Sequence, residues 1–350
     1  MPKPVVILSA LEGVERQIVL SFLKNPEPVS HPDTSTQYYK GQISTNAGLI
    51  DVILGRTNQT NPNAGIETER AIAAFQPQYV FFVGVAGGLK DSKIGDIVLG
   101  EEVFGYERGK TTDTGFNARP TSAKSSYKLE QLANTYAHSA EWKLKAASLH
   151  NTSFKGPVEM ISGVIVSGEK VDASEKSNLH LFLKEHFNHA QAVEMEGLAF
   201  LEACRHHPTV EGLLIRGISD LVSGKGDADA EGSQPYATRN AATFAFGLIE
   251  ALYAQPASAK KLSLEDQKQL ATLATQLYPR GILDNQIWVE AGGDASAIAT
   301  SSNGKTQWRE AITKISNGGG GNITFLSLME AMFEENSGND NLRELLQKIK

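Results

Sequence analysis

The chain has one cysteine, Cys204, in 350 residues. No intrachain disulfide can form, which excludes a disulfide-stapled secreted scaffold and fits a reducing cytoplasm. His206 and His207 follow Cys204 closely, but one cysteine beside a histidine pair lacks the ligand spacing of a zinc motif. Neither a metal nor a cofactor is therefore expected. Basic charge is also in short supply: 33 Lys and Arg face 40 Asp and Glu, for a net charge of -7. That balance argues against non-specific nucleic-acid binding, which needs a basic footprint. No apolar run reaches membrane length, and PKPVVILSALEG near the start is too short for a signal peptide or a span, so no membrane partner is expected. The phosphate-binding patterns GxGxxG and GxxxxGK[ST] are missing as well, and no Ser–His–Asp set is evident.

What is present is an ordinary globular composition, 41% hydrophobic and 21% charged, with length for one large domain or two. Strand-like apolar runs at Val5–Ala10, Tyr79–Val85, Ile97–Phe104, Val158–Val166 and Leu213–Asp220 alternate with helical spacing. The helical stretches are Val14–Leu23, Ile66–Phe75, Tyr127–Leu149, Glu175–Phe187, Gly197–Cys204 and Arg239–Ala254. Gln37–Ile43 and Leu49–Leu54 read as two further strands, Asn25–Thr36 as a loop, and residues 107–126 as a long irregular loop or lid. This alternation predicts a three-layer α/β/α domain with a mixed central sheet over residues 1–255. After a linker at 256–261 come five short helical stretches, which predict a small all-α bundle over 262–350. Leu264, Leu273, Leu277, Trp288, Trp308, Phe325 and Met329 are its expected core.

Three stretches carry candidate chemistry. LLIRGISD at 213–220 is a buried-type strand ending in Asp220, and ligands of open α/β folds sit outside the carboxyl ends of strands. VFFVGVAGG at 80–88 runs an apolar strand into Gly84, Gly87 and Gly88. AVEMEG at 192–197 sets Glu194 and Glu196 two residues apart, so an extended segment points both the same way. A carboxylate that accepts two hydrogen bonds matches the vicinal hydroxyls of a ribose. Its plain alternative is a solvated helix N-terminus, where glutamate is favoured in any case.

VGVAGG, VEMEG and IRGISD, in that order, with KIGDIV, YERGK and SGEKV between them, resemble the nucleoside phosphorylase and nucleosidase superfamily over residues 4–253. The resemblance is to its branch of 5′-methylthioadenosine/S-adenosylhomocysteine nucleosidases. It implies hydrolysis of a purine–ribose bond. Asp220 then protonates N7 of the leaving base, Glu196 holds the ribose hydroxyls and Met195 packs under the sugar. Ala86, Gly87 and Gly88 lie near sugar and base, and Ile165 and Val166 fall where the base is contacted. The water-activating carboxylate is either Glu15 or Glu12: the family reads A-L-x-x-E, whereas Ala10-Leu11 is followed here by EGVE. Glu15 fits if one residue is inserted. The arginine pair of the phosphorylases is missing, which favours water over phosphate as nucleophile. Lys110 and Arg119 in the long loop are candidates for a 5′-phosphate chain, so a methylthioadenosine-type nucleoside and a nucleotide such as AMP or ATP both stay open.

The tail, with LATLATQLYP, Trp308 and NLRELLQKI, resembles death-like effector-associated domains of bacterial defence and signalling proteins. That resemblance implies a partner protein with a matching helical domain, and the nucleosidase family implies a homo-dimer or larger ring. A phosphorylase and a non-catalytic nucleotide sensor are the alternatives.

Overall fold

The computed structural model describes all residues except 1–2, 47, 114, 150–152, 155, 173, 223–227, 229, 255–261, 300–301, 318, 322 and 350. The chain divides into two compact units, Met1–Ala254 and Gln255–Lys350. The expected linker, residues 256–261, lies outside the described residues.

The first unit is organised by strand alternation. In β1 (Val5–Ser9), Val5 and Ile7 join one buried cluster while Val6 and Leu8 join another. In β5 (Tyr79–Gly88), Phe81 and Val83 likewise oppose Val80 and Phe82, and in β12 (Glu211–Asp220), Leu213 and Ile215 oppose Leu214. A strand apolar on both sides needs cover on both faces. The helix Ser233–Leu252 covers one with Phe244 and Leu248, and the helices Asn61–Phe75 and Gly197–Arg205 cover the other with Ile72 and Phe200. The three-layer α/β/α arrangement follows from that pattern.

The other strands are β2 (Lys24–Ser30), β3 (Gln37–Thr45), β4 (Gly48–Arg56), β6 (Ile97–Gly105), β7 (Gly109–Thr112), β8 (Gly115–Ala118), β9 (Thr121–Lys124), β10 (Met160–Ser167) and β11 (Ala190–Glu194). The main sheet is mixed, in the order β11-β10-β6-β12-β5-β1-β4-β3-β2, with β9 on β6. One further pairing matters for the site. β11 also runs antiparallel to β5, Val193 opposite Gly87 and Ala192 opposite Gly88, which curls the sheet and brings the ends of β5, β11 and β12 together.

Four expectations need correction. Within Asn25–Thr36 the segment β2 pairs with β3; Pro26 and Pro28 cannot donate to a ladder, and an edge strand tolerates that. Residues 107–126 are not irregular: β7 and β8 form a hairpin and β9 pairs with β6. The helix expected over Tyr127–Leu149 is two, Tyr127–His138 and Ala140–Ser148, because Ser139 turns extended and caps the second by accepting from Trp142 N at 3.1 Å.

The second unit is helical: Leu264–Leu277, Ile287–Glu290, Gly304–Ser316, Phe325–Glu335 and Asp340–Ile349. Trp288, Trp308, Leu273, Phe325 and Met329 are buried as expected, and Leu277 is packed against them. Leu264 is the fourth correction. It follows the cap residue Ser263 and is 77% exposed, because the buried face begins at Leu270. Among the described residues no helix is long and apolar enough to cross a membrane.

Candidate active site

A cavity of about 140 Å³ opens where β1, β5, β11 and β12 end. Glu15, Ala86, Gly87, Glu194, Met195, Glu196 and Asp220 line it, so residues from all three sequence motifs converge there.

The chain leaves β1 at Ser9 and turns through a π-helical turn, Glu12–Arg16, in which Arg16 N donates to Leu11 O at 2.9 Å. A π turn holds one residue more than an α turn. It absorbs the extra residue of EGVE and carries Glu15, not Glu12, into the cavity. Glu15 is 1% exposed. Its Oε2 accepts from Ala10 N at 2.7 Å and Leu11 N at 2.8 Å, and its Oε1 accepts from Val85 N at 2.9 Å. Burial nonetheless raises its pKa, opposed by Arg216 and those amides. Glu12 is half exposed and pairs with Arg16 at 2.8 Å and Arg56 at 3.2 Å. Partial burial works upward on its pKa, but the two arginines bring it below the usual value.

Beneath the cavity lies Arg216, in the middle of β12 and fully buried. Its Nη2 donates to Glu194 Oε2 and, at 3.0 Å, to Glu196 Oε2, while its guanidinium stacks 4.5 Å from the centre of the Phe82 ring. Glu194 also accepts from Glu196 N and Gly197 N, so it ties the start of the next helix to the arginine. Glu196 accepts in addition from Thr60 N at 3.0 Å. Three buried carboxylates thus share one cation. Burial first, and the charges of Glu194 and Glu15 second, push the Glu196 pKa up to about 7 against the pull of Arg216. Gly84 faces this cluster from β5. A Cβ there would collide with the Arg216 guanidinium and the Glu15 carboxylate, so only glycine fits.

Asp220 reaches the cavity through a register shift. β12 pairs with β5 in step up to Ile218 opposite Ala86, then slips at Ser219, and Asp220 stands opposite Gly87. Such a bulge re-aims a side chain. Asp220 is 2% exposed and accepts from Ser219 Oγ at 3.0 Å and Val222 N at 3.1 Å.

The other expected site residues fall elsewhere. Ile165 and Val166 are fully buried in the packing and do not line the cavity; Lys170, Val171 and Asp172, just beyond β10, do. Gly88 lines a neighbouring cavity of about 530 Å³. Lys110 and Arg119 are exposed on the β7–β8 hairpin and at its end, away from the cavity lining. Sequence reasoning missed Arg216, Glu194 as its partner, the Thr60 amide and the 170–172 wall. Arg216 had a signal: a charge inside the apolar run LLIRGIS must find buried partners.

This arrangement of sheet and site defines a class. Residues 4–254 match the family model described as the Phosphorylase superfamily, and the chain belongs to that family. Residues 260–350 match Effector-associated domain 1. The 5′-methylthioadenosine/S-adenosylhomocysteine nucleosidase of Staphylococcus haemolyticus is 26% identical over 226 residues, covering 62% of this chain and 87% of its own length. Among solved structures, the nucleosidase of that name from Neisseria meningitidis, in complex with methylthio-immucillin-A, aligns with a TM-score of 0.56 at 24% identity, over 71% of this chain and 99% of its own. The futalosine hydrolase of Helicobacter pylori aligns with a TM-score of 0.56 at 23% identity, over 71% and 97%.

Proposed function

We propose that the first unit hydrolyses the N-glycosidic bond of a purine nucleoside, with water as the nucleophile. The observation that carries this reading is the meeting of Glu15, Glu196 and Asp220 in one cavity. Glu196 holds the ribose 2′- and 3′-hydroxyls, with Met195 under the sugar. As the bond between C1′ and the base nitrogen breaks, its electron pair goes to the base and Asp220 delivers a proton to N7. Water adds at C1′ and gives its proton to Glu15. Among the described residues Glu15 Oε1 accepts one main-chain hydrogen bond, from Val85, which leaves a lone pair for that water. Its raised pKa brings it nearer to a working base. Ala86 and Gly87 leave room for the sugar and base, and the Lys170–Asp172 wall takes the base-contacting role expected of Ile165 and Val166.

Phosphate as nucleophile fits poorly. The buried Arg216 is occupied by Glu194 and Glu196, and a phosphate would face the carboxylates of Glu15, Glu194 and Glu196. The same charges favour a nucleoside with an uncharged 5′ group, such as methylthioadenosine. Lys170 is the one lysine among the described residues of the lining and is held by Glu107 at 3.0 Å. A nucleotide remains the second reading through Lys110 and Arg119. The exposed hairpin that carries Lys110 also shows Phe116 to solvent, and in a homo-oligomer it is free to close a neighbour's cavity. The second unit, by its match to an effector-associated domain, serves as the adaptor to a protein with a matching domain in a signalling or defence setting.

The test is release of free adenine from methylthioadenosine, adenosine, AMP and ATP, with and without inorganic phosphate. Adenine from the uncharged nucleosides without phosphate is expected. A strict phosphate requirement, or no release from any of them, would overturn the proposal; release from ATP alone would move the specificity to the basic hairpin.

A further inference from the structure

Asp172 has no part in the chemistry above, yet its side chain is 0% exposed. The whole residue is 6% exposed, so what it shows to the cavity is main chain, and its carboxylate points back into the protein. There Oδ1 accepts from Ser177 Oγ at 2.7 Å and Oδ2 faces His180 Nδ1 at 3.2 Å. Ser177 caps the helix Asn178–His186, accepting from His180 N at 2.8 Å. A buried carboxylate is costly unless it is paired, so its place in a loop calls for a reason.

Between Ser167 and Asn178 the described chain forms no helix or strand, and three anchors hold it. Gly168 N donates to Glu194 O at 3.1 Å. Glu107 receives Glu169 N at 2.9 Å and Lys170 Nζ at 3.0 Å, but the Lys170 side chain is 72% exposed, and such pairs contribute little. The third anchor is Asp172, the only one built on a fully buried charge.

We propose that Asp172 is a positioning residue: through Ser177 and His180 it latches the cavity wall 170–172 onto the helix Asn178–His186 and so sets where the purine base rests. The proposal builds on the nucleosidase reading, in which that wall contacts the base. The latch acts on substrate binding more than on bond breaking, because Glu15 and Asp220 are held by other elements, the β1–β5 amides and the β12 bulge.

The experiment pairs hydrogen exchange with kinetics on the full chain for Asp172→Ala, Asp172→Asn and His180→Ala. Amides 168–172 should exchange at least about ten-fold faster in Asp172→Ala, ~1.4 kcal/mol being a lower bound for losing both the Ser177 and the His180 hydrogen bond. Peptides spanning Glu15 and β5 should be unchanged. KM should rise by about ten-fold with kcat within about two-fold, as for an interaction made equally in ground and transition states. Asp172→Asn keeps an acceptor for Ser177 and should fall between wild type and Asp172→Ala. Unchanged exchange at 168–172, or kcat falling with KM unmoved, overturns the latch. If wild type releases no base, the nucleosidase reading fails, while the exchange arm still decides the latch. If Asp172→Ala does not fold, His180→Ala, which removes one hydrogen bond to Asp172, carries the same comparison, with Ser177→Ala, which also removes the helix cap to His180 N, beside it.

Discussion

The two units bury different kinds of residue. The first hides Glu15, Asp172, Glu194, Glu196, Arg216 and Asp220 beneath its surface. In the second, Gln307 is the one buried polar side chain among the described residues, and the rest of the interior is Leu, Ile, Met, Ala, Tyr, Phe and Trp. Taking a charge out of water costs several kcal/mol per ion before pairing offsets it. A fold keeps such a cluster where chemistry uses it. The helical unit carries no such cost; its stability is packing, and any recognition it performs belongs to its surface. The difference places the buried candidate catalytic groups in the first unit and leaves the second with a packed apolar interior.

The sharpest way to test that contrast starts inside the cavity. Glu15→Gln should lower kcat by roughly 10²–10⁴, the range for losing a positioned general base. Glu12→Gln, in the same turn but facing solvent, should stay within about two-fold, as exposed ion pairs are weak. Equal losses in adenine release would break the distinction between them.

Next comes stability, read by calorimetry on each unit's transition. Arg216→Met leaves three buried carboxylates without their cation and should cost the first unit about 3–5 kcal/mol. Adding Glu196→Gln should recover part of that, which a simple packing defect would not. Trp308→Ala should cost the second unit a similar ~3–5 kcal/mol through a cavity, and leave adenine release untouched. Loss of base release in Trp308→Ala would mean that the units do not divide the work as described.

The smallest effect is a pH dependence. Burial and the neighbouring carboxylates push the Glu196 pKa up to about 7 in the folded chain, from an ordinary value of 4.5. Its protonated form is favoured by folding, so its contribution to stability is fully present below about pH 4.5 and is lost as pH rises through about 7. Glu196→Gln should flatten the stability profile of the first unit in that window. An unchanged slope would place the raised pKa elsewhere in the cluster.

Much of this was readable in advance. The alternation of strand-like and helical stretches predicted the layers, and the motifs with the resemblance they carry pointed to Asp220, Glu196, Met195, Ala86 and Gly87 before any fold was known, whereas Gly88 lines the neighbouring cavity. The β2 edge strand was missed because prolines read as loop when the partner strand is unknown. Glu15 was favoured while Glu12 stayed open, since a one-residue insertion can be absorbed as a loop, a bulge or a π turn, and only hydrogen bonding selects among them. Ile165 and Val166 were misplaced because the side of a strand end that faces a cavity depends on the strands beside it.

By itself, then, the sequence determined what is local or periodic: the alternating elements, the helical tail and the chemical types brought to the site. The tertiary structure decided which carboxylates share Arg216, that Asp220 stands opposite a glycine through a slipped register, and that Asp172 turns away from the cavity. The reason is physical. Those outcomes depend on residues far apart in the chain, as Glu196 and Thr60 are, and on burial, which makes a shared cation and a raised pKa matter and which no stretch of sequence carries alone.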